Sequence, residues 1–537
     1  MANNVKHGKR YYKQMALEVA VRNPERHEGI LQTFNKFEGK VLDDNVILDI
    51  YSQLYLDGVI TANALKGTNL TKRYIRCWIK ENCNHNNEWG FPTGYQAAFT
   101  RYLKTLSEFG FIYAQYCQEL HLSPIAKALI NGKITLSEAF AVQSMRFWRK
   151  SPYRRVLNDF NFFEFIIDSL LRLKTKGHSM SYNQFLIGLF SDDGNIDNYL
   201  QLLEDNKIGL NEDKAYSLVC KKYNKIDNQH SKVTKQKSAF HDYGNTVFRL
   251  LQLTGFINVN HNTILTISPN STRIDFYNAL KAQKFTLSES AKDNEKEYFA
   301  TIGSFDDKLE NLVLSFRHTN DTSQENYKTK IQNIICSYKL TKKSIEESLL
   351  KLSVGSKTNK DIFWFIQDPV KFEFLLTLYA YYYLGDSFEY KPNYIYDEVG
   401  IPYSHAPGNI GDIEIFNTDQ YWLIEATLIR NKNQQINNET VNLFRHISTS
   451  EYSEKYITLV APYIHDDTKL IFNIASVLTM IQRKSTNLYS STQTTEEFIN
   501  DITMGNYFTF LQTHTRNFIT NLRKYLNYIA TTQKVNL

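Results

Sequence analysis

Cysteine is scarce in this chain. Cys77, Cys83, Cys117, Cys220 and Cys336 are scattered, odd in number, and include no CxxC pair. Cys77, Cys83 and His85 have no second cluster to complete a four-ligand set, so no structural zinc is expected, and a reducing cytoplasm is. Proline and glycine are also sparing, at 10 and 22 residues, which argues for well-formed elements with few flexible linkers. Long apolar runs are missing. The longest, Phe374 to Leu384, contains four tyrosines and is too short to span a bilayer, so no membrane partner is expected. Lys6, Lys9, Arg10 and Lys13 precede no apolar block, so no secretory leader is expected either.

What is present fits a large globular protein. At 537 residues the chain has room for two to four domains, and its 42% hydrophobic and 22% charged content is ordinary for such proteins. The net charge of +6 is unevenly placed. Residues 1–300 hold 39 Lys and Arg against 30 Asp and Glu, whereas residues 301–537 hold 23 against 26. A basic front joined to a slightly acidic back suits a nucleic-acid-binding half and a metal-binding half.

The front half contains an internal repeat. Leu103-x-x-Leu106-x-x-x-Gly110-Phe111-Ile112 leads to Leu120-x-Leu122-Ser123-Pro124. Phe248-x-x-Leu251-x-x-x-Gly255-Phe256-Ile257 leads to Leu265-x-Ile267-Ser268-Pro269. Each copy reads as an apolar-faced helix, a glycine cap, a strand, a turn and a second strand. Helices followed by a β-wing are the winged-helix pattern, which sets one helix in the major groove. Basic segments lie nearby. Thr71 to Lys80 is expected to be helical, with Lys72, Arg73, Arg76 and Lys80 toward one side and Ile75, Trp78 and Ile79 toward the other. A second cluster comprises Arg146, Arg149, Arg154 and Arg155 around Phe147-Trp148. Both are candidate DNA contacts, because arginine and lysine pair with phosphates and base edges. Residues 286–360 are polar with sparse periodicity and are expected to form a partly helical linker.

The chemistry is expected near the C-terminal end. Gly411 to Phe416 and Tyr421 to Leu428 are β-type runs around the polar break 417–420, a hairpin signal. If Phe416 pairs with Tyr421, Asp412 stands opposite Glu425 on the same face. Like charges so placed repel, whereas a divalent cation between them reverses the sign of the interaction. Asp397-Glu398 lies upstream in a helix-like stretch. Downstream, Glu439 and His446 are seven residues apart, two helical turns, and Tyr456 to Ala461 reads as a further strand.

Asp412 followed after twelve residues by Glu425-Ala426-Thr427 resembles the PD-(D/E)xK nuclease motif. The pattern is similar to the AlwI-type group of type IIS restriction endonucleases and their nicking relatives. The resemblance extends to Glu398, Glu439 and His446, and to Arg22-Asn23-Pro24-Glu25-Arg26 and Phe37-Glu38-Gly39-Lys40-Val41-Leu42-Asp43. One position departs from the motif: Thr427 stands where it has lysine.

The resemblance implies a multidomain α+β chain. Two winged-helix-like recognition subdomains would occupy 1–140 and 141–285, followed by the linker and an α/β nuclease domain over 361–537. It implies Mg²⁺ held by Asp412, Glu425 and Glu398, with the Ile424 or Ala426 carbonyl completing an oxygen shell. Glu439 and His446, or Lys432 from the adjoining loop, would orient water in place of the missing lysine. The expected partners are double-stranded DNA, a cognate methyltransferase of the same system, and a second nuclease subunit or transient homodimer for double-strand cutting. The competing expectations are a DNA-binding protein with an inactive nuclease-like domain and a transposase- or repair-type nuclease.

Overall fold

The computed structural model describes residues 12–533 apart from 63–64, 66–70, 84–87, 155, 206–211, 224–232, 262–263, 318–326, 356–360, 407–410, 431–434, 436–451 and 484–486. The chain divides into two compact units, Met1–Arg317 and His318–Leu537. No described helix is long and apolar enough to cross a membrane.

The first unit is mostly helical and carries the repeat. Helix α1 (Asp44–Leu56) starts at Asp43, whose carboxylate accepts the Val46 N–H at 2.8 Å. Helix α2 (Lys72–Glu81) starts at Thr71 and buries Ile75 and Ile79. Helix α3 (Tyr95–Glu108) runs into Gly110, whose φ of +66° is the left-handed conformation that ends the helix. Strands β1 (Ile112–Tyr113) and β2 (His121–Leu122) then pair antiparallel, Ile112 opposite Leu122. Helix α4 (Leu136–Arg146) follows behind a capping box of Thr135 and Glu138.

The second copy repeats this order. Strand β3 (Met180–Ser181) leads through the N-cap Ser181 into α5 (Tyr182–Gly188). Later, α6 (Val233–Leu253) ends before Gly255 at φ +73°. Strands β4 (Ile257–His261) and β5 (Leu265–Pro269) form the hairpin, Ile257 opposite Pro269.

Structure shows the duplication to be longer than the sequence match. In copy two, β3 adds to the hairpin beside β5. In copy one, Val41 bridges Glu119 just ahead of α1 in the same way, with backbone bonds between Leu42 and Gln118 and between Leu120 and Lys40. The hairpins differ by one two-residue step: Ile257 is the counterpart of Ile112, yet it pairs with a residue two beyond the counterpart of Leu122. A step of two keeps every side chain on its face.

The polar segment 286–360 is not a linker. Helices α7 (Glu295–Ile302) and α8 (Asp307–Ser315) belong to the first unit. Ala291, Tyr298 and Ile302 are fully buried, the Tyr298 hydroxyl donates to the Glu108 carbonyl at 2.7 Å, and a Cβ on Gly303 would stand 2.6 Å from the Gly110 oxygen. Helices α9 (Tyr327–Ser337) and α10 (Lys342–Val354) belong to the second unit. Each helix buries only a few residues at helical spacing, such as Ile331 and Ile334 or Ile345 and Leu349. The rest of its surface is solvated, and composition alone therefore reads as linker.

The second unit is built on a five-stranded sheet. Helix α11 (Asp368–Leu384) precedes β6 (Glu389–Pro392), and the small pair β7 (Ile395–Tyr396) and β8 (Pro402–Ser404) follows. Strands β9 (Ile413–Phe416) and β10 (Gln420–Ala426) form a hairpin. Then come β11 (Glu454–Ala461), α12 (Asp466–Arg483), β12 (Leu488–Thr494), α13 (Thr495–Thr503) and α14 (Tyr507–Gln533). The sheet order is β12-β11-β10-β9-β6, with β10, β11 and β12 parallel to one another and β9 antiparallel to both of its neighbours, β10 and β6. Alternation along β10 divides its side chains. Tyr421 and Leu423 pack with Ile457, Leu459 and Phe472. Trp422 is fully buried on the opposite face, where it stacks near Phe498 and Tyr507 and donates from Nε1 to Thr458 Oγ1 at 3.0 Å.

His27 in the helix Arg26–Asn35 makes the first unit sensitive to acid. The ring is 1% exposed against Phe140 and its Nδ1 has no hydrogen-bond partner, and burial lowers its pKa to about 3. The neutral form belongs to the folded state, so its contribution is complete above the unfolded value near 6.5 and is lost as pH falls toward 3. Between pH 7 and pH 5 this unit should lose about 2 kcal/mol through His27. Thermal unfolding of wild type and His27→Phe at the two pH values should show a smaller difference in the variant; equal differences would remove His27 as the cause.

Candidate active site

The register of the β9–β10 hairpin places the acids. Phe416 pairs with Tyr421 and Ile413 with Ile424, so one step further Asp412 stands opposite Glu425, as the sequence suggested. Both carboxylates lie on the face that carries Tyr421 and Leu423. The approach is tight, since a Cβ on Gly411 would come within 2.5 Å of Leu423 Cδ1.

Hydrogen bonds hold Asp412 in place. Its Oδ2 accepts the Ala426 N–H at 2.8 Å, which ties it to the residue after Glu425. Its carbonyl accepts the Asn393 N–H at 2.9 Å. The Asn393 amide in turn donates to the Gly411 carbonyl at 2.6 Å and to Glu414 Oε1 at 2.9 Å. Asp412 and Glu425 are half-buried and sit at the end of the sheet where the parallel strands β10 and β11 finish. Open α/β sheets bind ligands at that end of their strands. The loop beyond is pinned by Gln435, which donates to the Ile429 carbonyl at 2.8 Å and the Tyr463 carbonyl at 2.6 Å.

Two facing carboxylates form a hard-oxygen donor pair suited to Mg²⁺ or a similar cation. Among the described residues no third Asp, Glu, His or Cys joins them as an ion-holding group, so the rest of a shell would come from backbone carbonyls, water or substrate oxygens. Glu398 is not brought into the set. The expected helix-like stretch there is a turn between β7 and β8, in which the Asp397 carboxylate accepts the N–H groups of Val399 at 3.1 Å and Ile401 at 2.9 Å. An Asp that satisfies its own backbone competes with helix formation, and Gly400 at φ +91° completes the turn. Glu398 sits within that turn, its carbonyl accepting Lys330 Nζ at 2.7 Å. Thr427 is 7% exposed and its hydroxyl accepts the Ile429 N–H at 3.2 Å, so nothing at that position supplies a cation. Glu439, His446 and Lys432 lie outside the described residues.

Sequence reading passed over Glu373. This carboxylate is 5% exposed within α11, a helix that packs on β6 and β10. Its charge adds to the burial that raises the pKa of Tyr394, the residue after Asn393. A single acid inside the run Val370 to Ala380 was the available signal.

The basic candidates divide sharply. Lys72, Arg73 and Lys80 are exposed on α2 and Arg76 is half-buried. With Asp49 and Cys77 they line a surface groove of about 470 Å³. Asp49 on α1 pairs with Lys72 at 3.1 Å and with Arg76, whereas Arg73 and Lys80 make no ion pair among the described residues.

The second cluster turns inward. Arg149 is 1% exposed, donates to the carbonyls of Ser191 (2.8 Å) and Lys13, and lies over the Phe160 ring. Arg154 pairs with the buried Glu108 and lies over Phe147. Arg146 donates to the Ile302 carbonyl at 3.1 Å, and burial pulls its pKa down to about 10. These three hold the first unit together and present no free guanidinium to DNA. Aromatic neighbours that suggested a recognition surface are the packing around them. Arg155 lies outside the described residues.

The AlwI restriction endonuclease family model matches residues 107–500, which include both carboxylates and exclude α2. Among solved structures the chain is similar to the small subunit (R.BspD6I2) of the heterodimeric restriction endonuclease R.BspD6I. The identity is 18% over 35% of this chain and 98% of that one, with a TM-score of 0.26. It is also similar to restriction endonuclease FokI, alone and bound to DNA. Both matches have 10% identity and a TM-score of 0.23; they cover 92% of this chain and 96% of the first FokI chain, and 95% and 98% for the DNA complex. No curated protein matches the chain.

Removing a buried arginine and removing an exposed one should have different effects. Arg149→Ala strands two carbonyls in the interior and should cost about 2–4 kcal/mol, read as a fall of several degrees in the unfolding temperature. Arg73→Ala should leave that temperature unchanged. Similar behaviour of the two variants would contradict the placement of Arg149.

Proposed function

The chain belongs to the AlwI restriction endonuclease family, and from that premise we propose a type IIS enzyme. It binds a short asymmetric DNA sequence through its first unit and hydrolyses a phosphodiester a few base pairs outside that sequence with its second. The observation that carries the reading is the opposition of Asp412 and Glu425 at the strand ends, with the Asp412 carboxylate fixed by the Ala426 N–H. The strand order and acid placement support a PD-(D/E)xK-like nuclease domain. The duplicated helix-and-hairpin copies support winged-helix-like recognition, with α2 as the element that meets phosphates.

Mechanistically, Asp412 and Glu425 would hold a divalent cation, Mg²⁺ in this reading, which would offset the repulsion of the two carboxylates. When bound, such an ion supplies Lewis-acid polarisation of a phosphate and neutralises charge that develops on its oxygens. The protein's part is positioning. The Ala426 N–H fixes the Asp412 carboxylate, and the strand backbone sets Glu425 opposite. Thr427 provides no proton acceptor suited to the attacking water. That role falls to His446 or Glu439, with a neutral imidazole the better acceptor near neutral pH. Thr427 also favours a second reading, a DNA-binding protein whose nuclease-like domain is inactive, in which no cleavage appears with Mg²⁺ or Mn²⁺.

Asp412→Ala and Glu425→Ala should each abolish cleavage of plasmid DNA and leave its binding intact, because the first unit is untouched. A variant that cuts at near wild-type rate would show the site to be elsewhere. One pair of facing acids makes one active centre, and antiparallel strands present their scissile phosphates to it in opposite orientations. Nicked circles should therefore accumulate before linear product, and linear product should rise steeply with protein concentration. Linear DNA formed directly, at a rate independent of concentration once all DNA is bound, would refute the single-strand assignment.

A further inference from the structure

The exits of β10 and β11 are joined beyond the end of their ladder. Ala426 pairs with Val460, and past that pair the Thr427 N–H donates to the Val460 carbonyl at 3.0 Å. Continuing the same register by three residues sets Ile429 opposite Tyr463. Parallel strands share no turn that could hold their exits together, yet one side chain bridges these two positions. The Gln435 amide is fully buried and donates to the Ile429 and Tyr463 carbonyls at 2.8 and 2.6 Å. Its Oε1 accepts the hydroxyl of Thr468, itself fully buried in the first turn of α12, at 3.2 Å. A second tie lies beside it, where His465 Nε2 donates to the Arg430 carbonyl at 3.0 Å.

We propose that Gln435 is a positioning residue of the active centre. Its amide adds a rung that fixes the end of β10, and with it Glu425 and the Ala426 N–H that holds Asp412. The proposal rests on the nuclease reading above. Chain ends fray more readily than the middle of an element, and Glu425 is the last residue but one of β10. Repulsion from Asp412 acts on that end while no cation is bound, and the added rung holds it to β11. Burying an amide costs free energy unless its polar atoms are matched. An apolar side chain would fill the same space at no such cost, but only a double donor joins the carbonyls of two separate strands.

Mn²⁺ titration calorimetry of the full chain without DNA, alongside plasmid nicking and DNA affinity, tests this role. Gln435→Met keeps an unbranched side chain of similar length and loses all three hydrogen bonds. It should bind Mn²⁺ about tenfold more weakly or worse and nick more slowly at a fixed Mn²⁺ concentration, with unchanged affinity for DNA. Thr468→Val removes only the bond at Oε1 and should shift Mn²⁺ affinity the same way by less. Thr515→Val is the control for lost stability. The Thr515 hydroxyl bonds the Ser490 N–H at 2.8 Å and carbonyl at 3.1 Å near the start of β12, so its unfolding temperature should fall while Mn²⁺ affinity holds. A folded Gln435→Met with wild-type Mn²⁺ affinity overturns the proposal; if that variant does not fold, wild-type affinity in Thr468→Val does so. An equal loss of affinity in Thr515→Val also overturns it. A wild type that neither binds Mn²⁺ nor nicks DNA refutes the nuclease reading itself, and this proposal with it.

Discussion

Everything at the candidate site depends on the pairing of Phe416 with Tyr421. That pairing decides which side chains of β9 and β10 share a face, and it sets two carboxylates against each other. A hairpin selected for stability alone would avoid this arrangement, since opposed like charges cost energy. The structure offsets part of the cost locally through the Ala426 N–H on Asp412. The parallel strand β11 and the buried indole of Trp422 anchor β10 in the same register. The surrounding core keeps in place a pairing that the two acids by themselves would disfavour.

The second unit was readable where local periodicity and the final structure agree. The hairpin register, the break at 417–420 and the strand ending at Ala461 followed from alternation and turn residues. Glu398 falls outside the expected helix because Asp397 and Gly400, both turn residues, fold the chain back on itself there. Glu373 was missed because an acid in an aromatic helix looks like an ordinary surface position until the helix is packed.

In the first unit, the duplicated helix, glycine and hairpin were visible in the sequence as far as their apolar spacing extends. The pairing that extends each hairpin, an isolated bridge at Val41 and a short strand at Met180, was not, since both lie far from their partners in sequence and carry only one or two residues of pairing. The arginine cluster shows the same limit. Charge and nearby aromatics look alike in a DNA-contacting surface and in a buried cation–π core. Only burial tells Arg149 from Arg73.

The seating of Gly303 against Gly110 bears on how the protein is made. Copy one of the repeat is complete in sequence by residue 124, yet α7 and the Tyr298 hydroxyl complete its packing. On a ribosome adding about 5–20 residues per second, the first copy waits roughly 10–40 s for the chain to reach the end of its unit at Arg317. Through that interval the surface that later receives Ile302 and Gly303 is open, while the second copy, similar in pattern, is emerging. The two hairpins differ by two residues in register, so the copy that emerges second does not present α7 with the same wing.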